Sequence, residues 1–150
     1  MGCPLTFQQA GLAYQPRHQH RGKLMSETWY ERYPLRIEAE IAIMSNSYPQ
    51  FILKADKYKQ LYWDGILQTN FGTLYRVKIS YPMAYPYRKP KLDVVEPEVQ
   101  LNAPHRFEDG SLCVYPTSWD YKRATAPASV PLIAAWLALY EIFLRTGERW

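Results

Sequence analysis

The residues around Cys113 are the part of this sequence whose types and spacing could carry out chemistry. The thiol follows an Asp109-Gly110 pair, His105 lies eight residues before it, and Trp119 lies six residues after it. A cysteine attacks carbonyl carbons as the thiolate, and a nearby imidazole favours that form. The segment therefore has the minimum equipment for acyl transfer through a thioester. The alternative is that Cys113 is a small buried apolar side chain, which is a common use of a lone cysteine.

The composition is that of one ordinary globular domain. The chain has 150 residues, of which 47% are hydrophobic, and this is enough to bury a core. The net charge is only +4 and the basic residues are scattered, so we expect no nucleic-acid partner. The longest apolar run, residues 130–140, is too short to span a bilayer, so we expect no membrane partner. The sequence has no Gly-rich nucleotide loop and no Cys-x-x-Cys pair, and we expect neither a cofactor nor a metal.

The two cysteines, Cys3 and Cys113, lie in very different surroundings. Because no signal peptide precedes the domain, we expect a reducing, cytoplasmic location and no disulfide framework. Residues 1–24 mix polar residues, Gly and Pro without periodicity, which predicts a disordered lead before a single domain over residues 25–150. The first six residues also match the loose N-myristoylation pattern, which is a weak signal.

Hydrophobic periodicity predicts one helix followed by four strands. We expect the helix over residues 33–44, with Pro34 in its first turn and with Glu38 and Glu40 turned away from the core. The apolar stripe predicted for this helix consists of Leu35, Ile37, Ile41 and Met44. The strands are predicted over residues 51–55, 61–69, 74–81 and 91–95. Their short connections favour an antiparallel meander.

A long loop and a second helix complete the predicted architecture. Few periodic cues occur between Glu96 and Ser129, a span longer than compact domains usually leave without a function. Cys113 lies in the middle of it. The last helix is predicted from an N-cap at Ser129 to a stop at Gly147. Its apolar residues, which we expect to pack in the core, are Leu132, Ile133, Trp136, Leu139, Tyr140 and Phe143.

Two segments in register resemble ubiquitin-conjugating enzymes. Residues 82–92 read Pro-Met-Ala-Tyr-Pro-Tyr-Arg-Lys-Pro-Lys-Leu. They are similar to the family's Pro-x-x-Tyr-Pro-aromatic-x-x-Pro stretch after the third strand. The run from His105 through Cys113 to Trp119 resembles the active-site stretch His-Pro-Asn…Gly-x-Ile-Cys…Trp. The order of motifs and elements agrees over residues 33–146, nearly the whole folded part.

The match departs from the eukaryotic members at the residues after His105. Arg106 and Phe107 stand there, so the asparagine that helps to stabilise the oxyanion has no counterpart. Asn102 is a conceivable substitute, but we do not expect it to act as one. Together with the closing residues 136–150, these features look more like the bacterial branch of the family. That branch is found in anti-phage operons, including the cyclic-oligonucleotide-based signalling systems.

The resemblance implies an α+β, ubiquitin-conjugating (UBC-like) fold with an N-terminal helix, a four-stranded antiparallel meander, a long active-site loop and a C-terminal helix. It also implies a Cys113 thioester to the C-terminal glycine of a partner, followed by transfer to an amine. The implied partner is a cGAS/DncV-like nucleotidyltransferase, with a bacterial ubiquitin-like protein ending in Gly as the alternative. Any adenylation would come from a separate activating enzyme or be dispensable.

Three further residues are candidates for catalysis beside Cys113. His105 could orient the loop through a hydrogen bond or act as a base, and the family analogy favours the first role. Asp109 could form the turn that presents the thiol, or accept the proton of the incoming amine. Asp120, beside Trp119, is a second candidate base.

Four loop residues lie where family members meet partners or hold the thioester-linked tail. Each could equally be an ordinary loop residue, and Trp119 could simply pack the loop onto the core. These candidates are Tyr115, Trp119, Lys122 and Arg123.

Two other classes of function remain open from the sequence. One is a non-catalytic binding module on the same fold, although inactive variants of the family usually lose the thiol that this chain keeps. The other is a hydrolase with Cys113, His105 and Asp109 as a triad. All three residues come from one short loop, which makes the triad geometry doubtful.

Overall fold

The structure, a computed structural model, describes residues 27–116 and 118–150 as an α+β fold. Its elements are α1 (Trp29–Arg32), α2 (Pro34–Ser47), β1 (Ile52–Ala55), β2 (Leu61–Gln68), β3 (Leu74–Ser80), β4 (Lys91–Glu96) and α3 (Ser129–Thr146). The predicted fold class and the order of helix, four strands, long loop and helix are confirmed. The predicted disordered lead over residues 1–24 and the myristoylation pattern lie outside the described residues. The single domain over residues 25–150 stays a prediction.

The four strands form one antiparallel sheet in the order β1-β2-β3-β4, as predicted for a meander. Side chains alternate along β3, so Tyr75, Val77 and Ile79 are buried while their neighbours face outward. Val77 pairs with Gly65 of β2. The Phe51 ring lies 2.6 Å from where a Cβ of residue 65 would stand, so only glycine fits there. The inner face of the sheet is therefore closely packed at its centre.

The long helix α3 covers the inner face of the sheet. Ile133, Trp136, Leu137 and Tyr140 are buried in the same cluster as the inner strand residues. Within the described part of the chain, α3 is the one helix long and apolar enough, at 18 residues, to cross a membrane by length and composition. Its packing against the sheet accounts for that composition. Leu139 was expected in this core, but it is 38% exposed.

The two predicted ends of α3 have different outcomes. Gly147 ends the helix in the left-handed conformation, with φ of 72°, as predicted. The predicted N-cap at Ser129 is wrong, because Ala128 holds the cap position and Ser129 is the first residue inside the helix. The Ser129 hydroxyl lies 2.8 Å from the Tyr115 hydroxyl and is hydrogen-bonded to it. Ser129 therefore ties the long loop to the helix.

Helix α2 buries a carboxylate that the sequence pattern places outside the core. Pro34 begins the helix and Met44 is fully buried, both as predicted. The predicted orientation of Glu40 is wrong, because this side chain has 0% exposure. Leu35 and Ile41, expected to be buried, are 78% and 38% exposed. The face of α2 that packs inward therefore contains a charged residue, which needs polar partners.

A second buried carboxylate, Glu141, joins α3 to the sheet. It accepts hydrogen bonds from the Tyr75 hydroxyl at 2.9 Å, the Thr69 hydroxyl at 3.2 Å and Arg145 Nη1 at 2.5 Å. Burial on its own raises the pKa of the Glu141 carboxyl, but these hydrogen bonds, led by that from Arg145, outweigh burial and hold the pKa at about 2. Glu141 is therefore ionised at neutral pH.

Candidate active site

Cys113 lies on a short hairpin within the long loop. Arg106 pairs with Leu112 in an antiparallel bridge, and the Cys113 N–H donates to the His105 carbonyl at 2.8 Å. This register sets Cys113 directly across from His105. Opposed residues of an antiparallel pair have neighbouring side chains. The eight-residue spacing seen in the sequence therefore brings Cys113 and His105 to the wall of the same cleft.

Asp109 shapes the turn of this hairpin. Its carboxylate accepts hydrogen bonds from the Ser111 N–H at 2.9 Å and the Ser111 hydroxyl at 2.6 Å. Lys91 Nζ lies 3.4 Å away on the other side. The two hydrogen bonds from Ser111, aided by Lys91, lower the pKa of the Asp109 carboxyl. A carboxylate with a lowered pKa is a weaker base, so the geometry favours the turn role for Asp109.

The two residues that depart from the eukaryotic motif have structural contacts of their own. Arg106 Nε donates to the Gly110 carbonyl, and its Nη1 donates to the Gln100 carbonyl, both at 3.0 Å. The ring of Phe107, where the family has asparagine, lies 5.2 Å from Lys89 Nζ. Arg106 thus stabilises the hairpin. Phe107 has no side-chain amide that could donate to an oxyanion.

Strand β4 anchors the hairpin to the sheet. The Leu112 N–H donates to the Leu92 carbonyl at 2.8 Å, and the Leu112 side chain is only 2% exposed. β4 is an edge strand, so its outward carbonyl is available for this contact. The residue directly before Cys113 is therefore fixed in the core, which positions the half-buried cysteine at the surface.

Cys113 and His105 line one open cleft of about 330 Å³. His105 adopts a left-handed backbone with φ of 55°, and its Nε2 lies 2.7 Å from the Trp150 carbonyl oxygen. A carbonyl oxygen only accepts hydrogen bonds, so Nε2 carries the hydrogen. In a neutral imidazole, Nδ1 is then the nitrogen that could take a proton. His105 therefore has a clear positioning role, and any role as a base is restricted to Nδ1.

The Cys113 sulfur is disulfide-bonded in this structure. The expectation of no disulfide framework is therefore wrong at this position, and the chain's other cysteine, Cys3, lies outside the described residues. The residue is half-buried and lies at the wall of an open cleft. A sulfur in a disulfide is not a thiolate, so acyl transfer at Cys113 requires reduction first.

A second cleft of about 370 Å³ adjoins the first. The two share Tyr115, Pro116 and Leu132 in their walls. Trp119 forms part of the second wall, and its Nε1 donates to the Pro86 carbonyl at 2.7 Å. Tyr115 contacts Trp119 edge to face, with ring centroids 5.7 Å apart. Both aromatic residues thus pack the loop onto the fold while bordering the site.

Three further predicted site residues follow Trp119. The exposed Asp120 carboxylate accepts from the Lys122 N–H at 3.0 Å and lies 3.8 Å from Arg123 Nε. Asp120 and Arg123 line the second cleft, whereas the Lys122 ammonium lies 5.9 Å from the Tyr121 ring. Among the predicted site residues, Tyr115 lines both clefts, and Asp109 and Lys122 line neither. Cys113 and His105 belong to the first, and Trp119, Asp120 and Arg123 belong to the second.

Two residues of α2, the partly exposed Arg36 and the buried Glu40, hold the loop that carries Asp120. Arg36 donates to the Tyr121 carbonyl at 3.0 Å and also to the Ala124 carbonyl. Glu40 accepts the Ala126 N–H at 2.5 Å and the Tyr85 hydroxyl at 2.6 Å. The pair itself is joined by a 3.2 Å ion pair from Arg36 Nε to Glu40. We call these contacts the α2 clamp. They fix the far wall of the second cleft.

Two features of the site escaped the sequence analysis. Trp150 lines the Cys113 cleft, whereas the sequence analysis included it only in the closing residues 136–150 and gave it no role at the site. Leu139 lines the same cleft, although its helical spacing predicts a core position. Asn102 is exposed and its main-chain oxygen accepts from Arg149. It is not among the residues that line either cleft.

Comparison with known protein families gives a match over most of the chain. The family model described as Type II CBASS E2 protein matches residues 40–150, which include the sheet, the Cys113 hairpin, both clefts and α3. No curated protein matches the chain. Within the described residues, no group of three or more His, Cys, Asp or Glu side chains could hold a metal ion. The family gives the protein an E2-like role in CBASS antiphage defence. The chain belongs to the Type II CBASS E2 protein family.

Proposed function

We propose that reduced Cys113 forms a thioester with the C-terminal glycine of a partner protein and passes that acyl group to an amine. In the first step the thiolate attacks the activated glycine carbonyl, the Sγ–carbon bond forms, and the activating group leaves. In the second step the amine nitrogen attacks the same carbon, the sulfur leaves as thiolate, and a base takes the amine proton. The protein is then a cysteine acyltransferase.

The observation that carries this proposal is the hairpin that sets Cys113 across from His105 at the wall of an open cleft. The hairpin is anchored through Leu112, so Cys113 is held in place, and it is half-buried at the cleft wall. Held geometry of this kind lowers the entropic cost of a reaction between two groups. Membership in the Type II CBASS E2 family supports the same chemistry through its E2-like character.

The donor that we propose is a cGAS/DncV-like nucleotidyltransferase that ends in glycine and acts in the same defence system. A dedicated bacterial ubiquitin-like protein with a C-terminal glycine is the alternative donor. The family supports partners within a CBASS operon, and the choice between the two donors rests on the sequence resemblance. A separate activating enzyme supplies the activated carbonyl where one is needed. The cytoplasmic location expected from the sequence stays a prediction.

We assign different roles to the polar residues near the sulfur. His105 positions the hairpin and the cleft wall through its contact with the Trp150 carbonyl. Asp109 holds the turn through Ser111. Asp120, exposed in the second cleft, is the remaining candidate base for the incoming amine.

The loop residues after the hairpin complete the proposed site. Tyr115 and Trp119 form the wall between sulfur and acceptor, and their packing keeps that wall rigid. Lys122 and Arg123 are exposed, so they are available to contact the partner protein. An acceptor amine that approaches through the second cleft would pass Asp120 before it reaches the thioester.

The hydrolase with a Cys113, His105 and Asp109 triad has less support. Asp109 is engaged with Ser111 and Lys91, and the His105 Nε2 is engaged with a carbonyl oxygen. The binding-module alternative predicts that Cys113→Ala keeps full biological activity.

Intact-mass spectrometry tests the proposal directly. The protein is co-expressed with its operon neighbours as wild type, Cys113→Ala and Cys113→Ser, and each sample is split between a thiol reductant and a phosphine. We expect a wild-type adduct that the thiol removes and the phosphine leaves intact, because thiols exchange with thioesters and phosphines do not. Cys113→Ser should carry a stable ester, and Cys113→Ala should carry nothing.

Absence of an adduct from every sample, with folded protein and all neighbours present, would overturn the proposal. An adduct that survives in Cys113→Ala would move the chemistry to another residue. An adduct removed by phosphine as well as by thiol would be a disulfide rather than a thioester.

A further inference from the structure

The residues after α3 turn back over the Cys113 hairpin. Gly147 ends the helix with a positive φ, and residues 148–150, which we call the closing segment, then run toward the hairpin. Arg149 Nη1 donates to the Asn102 carbonyl at 2.7 Å, and the Trp150 carbonyl oxygen lies 2.7 Å from His105 Nε2. The closing segment is therefore attached at two points, one of them the residue that faces Cys113.

Trp150 connects the core to the cleft. Its ring lies 5.8 Å from Trp136 and 6.2 Å from Phe143, both edge-on, and 5.7 Å from the His105 ring. Trp136 and Phe143 are buried, whereas Trp150 is only half-buried and forms part of the cleft wall. One part of the indole thus packs on the core, and the rest faces the cleft.

The two clefts differ in chemistry. The walls of the Cys113 cleft contain no Asp, Glu, Lys or Arg among the described residues. Apart from His105 and Cys113 they are apolar or aromatic, and they include Leu132, Ala135 and Leu139. The second cleft contains Asp120 and Arg123. A charged side chain would lose hydration in the first cleft without gaining a partner, and an apolar one would gain contact.

We infer that Trp150 is a specificity-determining residue for the acyl donor. The last residues before the donor's terminal glycine pack against Trp150 and Leu139, so the donor tail is uncharged and apolar there. This rests on the proposed function, because the thioester fixes the tail to a sulfur inside the cleft. A volume of about 330 Å³ is at the small end of binding sites, about 300–1,000 Å³, and suits a short stretch of extended chain. His105 is the positioning residue that holds the Trp150 wall in place.

Synthetic peptide thioesters test this inference without an activating enzyme. The peptides end in Leu-Gly or Glu-Gly, each linked through the glycine carbonyl to a small thiol. In the reaction the Cys113 thiolate forms the new Sγ–carbon bond and the small thiolate leaves. The protein is first reduced with a phosphine, and acylation is followed by intact mass. We expect wild type to react faster with the Leu-Gly peptide than with the Glu-Gly peptide by about tenfold.

Substitutions in the cleft wall test which residues determine the preference between the two peptides. Trp150→Ala should lose most of this preference. Tyr58→Ala is the matched aromatic control, since Tyr58 is 72% exposed in the β1–β2 connection, and it should keep the preference. Leu139→Lys, at a position 38% exposed, should favour the Glu-Gly peptide, and it keeps the test decisive if Trp150→Ala fails to fold.

The outcomes distinguish the inference from the proposed function. Acylation of wild type no faster than of Cys113→Ala, with either peptide, would overturn the proposed thioester chemistry. Efficient acylation with equal rates for both peptides, or a preference unchanged in both Trp150→Ala and Leu139→Lys, would leave that chemistry standing and overturn the inference.

Discussion

Replacing Glu40 by Gln tests the α2 clamp, the feature that the sequence pattern least anticipates. The carboxylate has 0% exposure and accepts the Ala126 N–H at 2.5 Å, the Tyr85 hydroxyl at 2.6 Å and Arg36 Nε at 3.2 Å. A glutamine keeps one acceptor oxygen, but its amide group must face one of these donors.

The magnitude follows from the bonds that are lost. Hydrogen bonds to charged groups contribute about 1.5–3 kcal/mol each, and at least one is replaced by a donor facing a donor. Arg36 is partly exposed and recovers some hydration. We therefore expect Glu40→Gln to lower the free energy of unfolding at neutral pH by about 3 kcal/mol, a large part of a typical stability of about 5–15 kcal/mol.

Urea unfolding of the reduced protein measures this, with Glu38→Gln as the matched control. Glu38 lies on the same helix and is exposed, so its substitution should change the free energy of unfolding by less than about 0.5 kcal/mol. Because the clamp holds the wall of the second cleft, Glu40→Gln should also slow transfer to an amine more than it slows formation of the thioester. Equal midpoints for the two variants would refute the reasoning that the buried carboxylate organises this loop.

Three further predictions follow from single contacts. The pKa of Glu141 falls from 4.5 in the unfolded chain to about 2 in the fold, so its contribution to stability is present above about pH 4.5 and is lost as the pH falls toward 2. From about pH 6 to about pH 3, urea unfolding of wild type should therefore lose about 2 kcal/mol more than that of Glu141→Gln, and parallel curves would contradict this. Gly110→Ala forces a side chain onto φ of 87° and places its Cβ 2.9 Å from Arg106 Nη2. Thermal unfolding should therefore show a free energy of unfolding lower by about 1–3 kcal/mol. An unchanged midpoint would show that the turn tolerates a side chain. Trp119→Phe keeps most of the ring but removes the hydrogen bond to the Pro86 carbonyl, at a cost of about 1 kcal/mol in urea unfolding, whereas no change would mean that packing alone holds Trp119.

The strands were predictable because their pattern is local. Alternation along β3 and short connections give the meander, and every strand bound lies within one residue of the predicted one. The turn of the Cys113 hairpin could also be predicted, since the Asp109-Gly110 pair is a turn signal in the sequence. Its spacing to His105 then sets the two residues opposite each other.

The missed features depend on partners that are distant in sequence. Glu40 looks like a solvent-facing charge until Tyr85 and Ala126 are brought to it by the fold. Ser129 looks like a helix cap, but its hydroxyl is hydrogen-bonded to the Tyr115 hydroxyl. Leu139 has helical spacing typical of a core residue, yet it is 38% exposed and borders the cleft instead. Periodicity identifies an apolar position but does not say what packs on it.

The measurement that tests the central claim most directly is tandem mass spectrometry of the Cys113→Ser protein co-expressed with its operon neighbours. The account predicts a branched peptide in which the substituted position carries an ester to the C-terminal glycine of a partner protein. The ester should be absent from Cys113→Ala and from cells whose partner lacks that glycine. A modified peptide located elsewhere in the chain, or an acyl group that does not end in the partner's terminal glycine, would contradict the claim that Cys113 is the conjugating nucleophile.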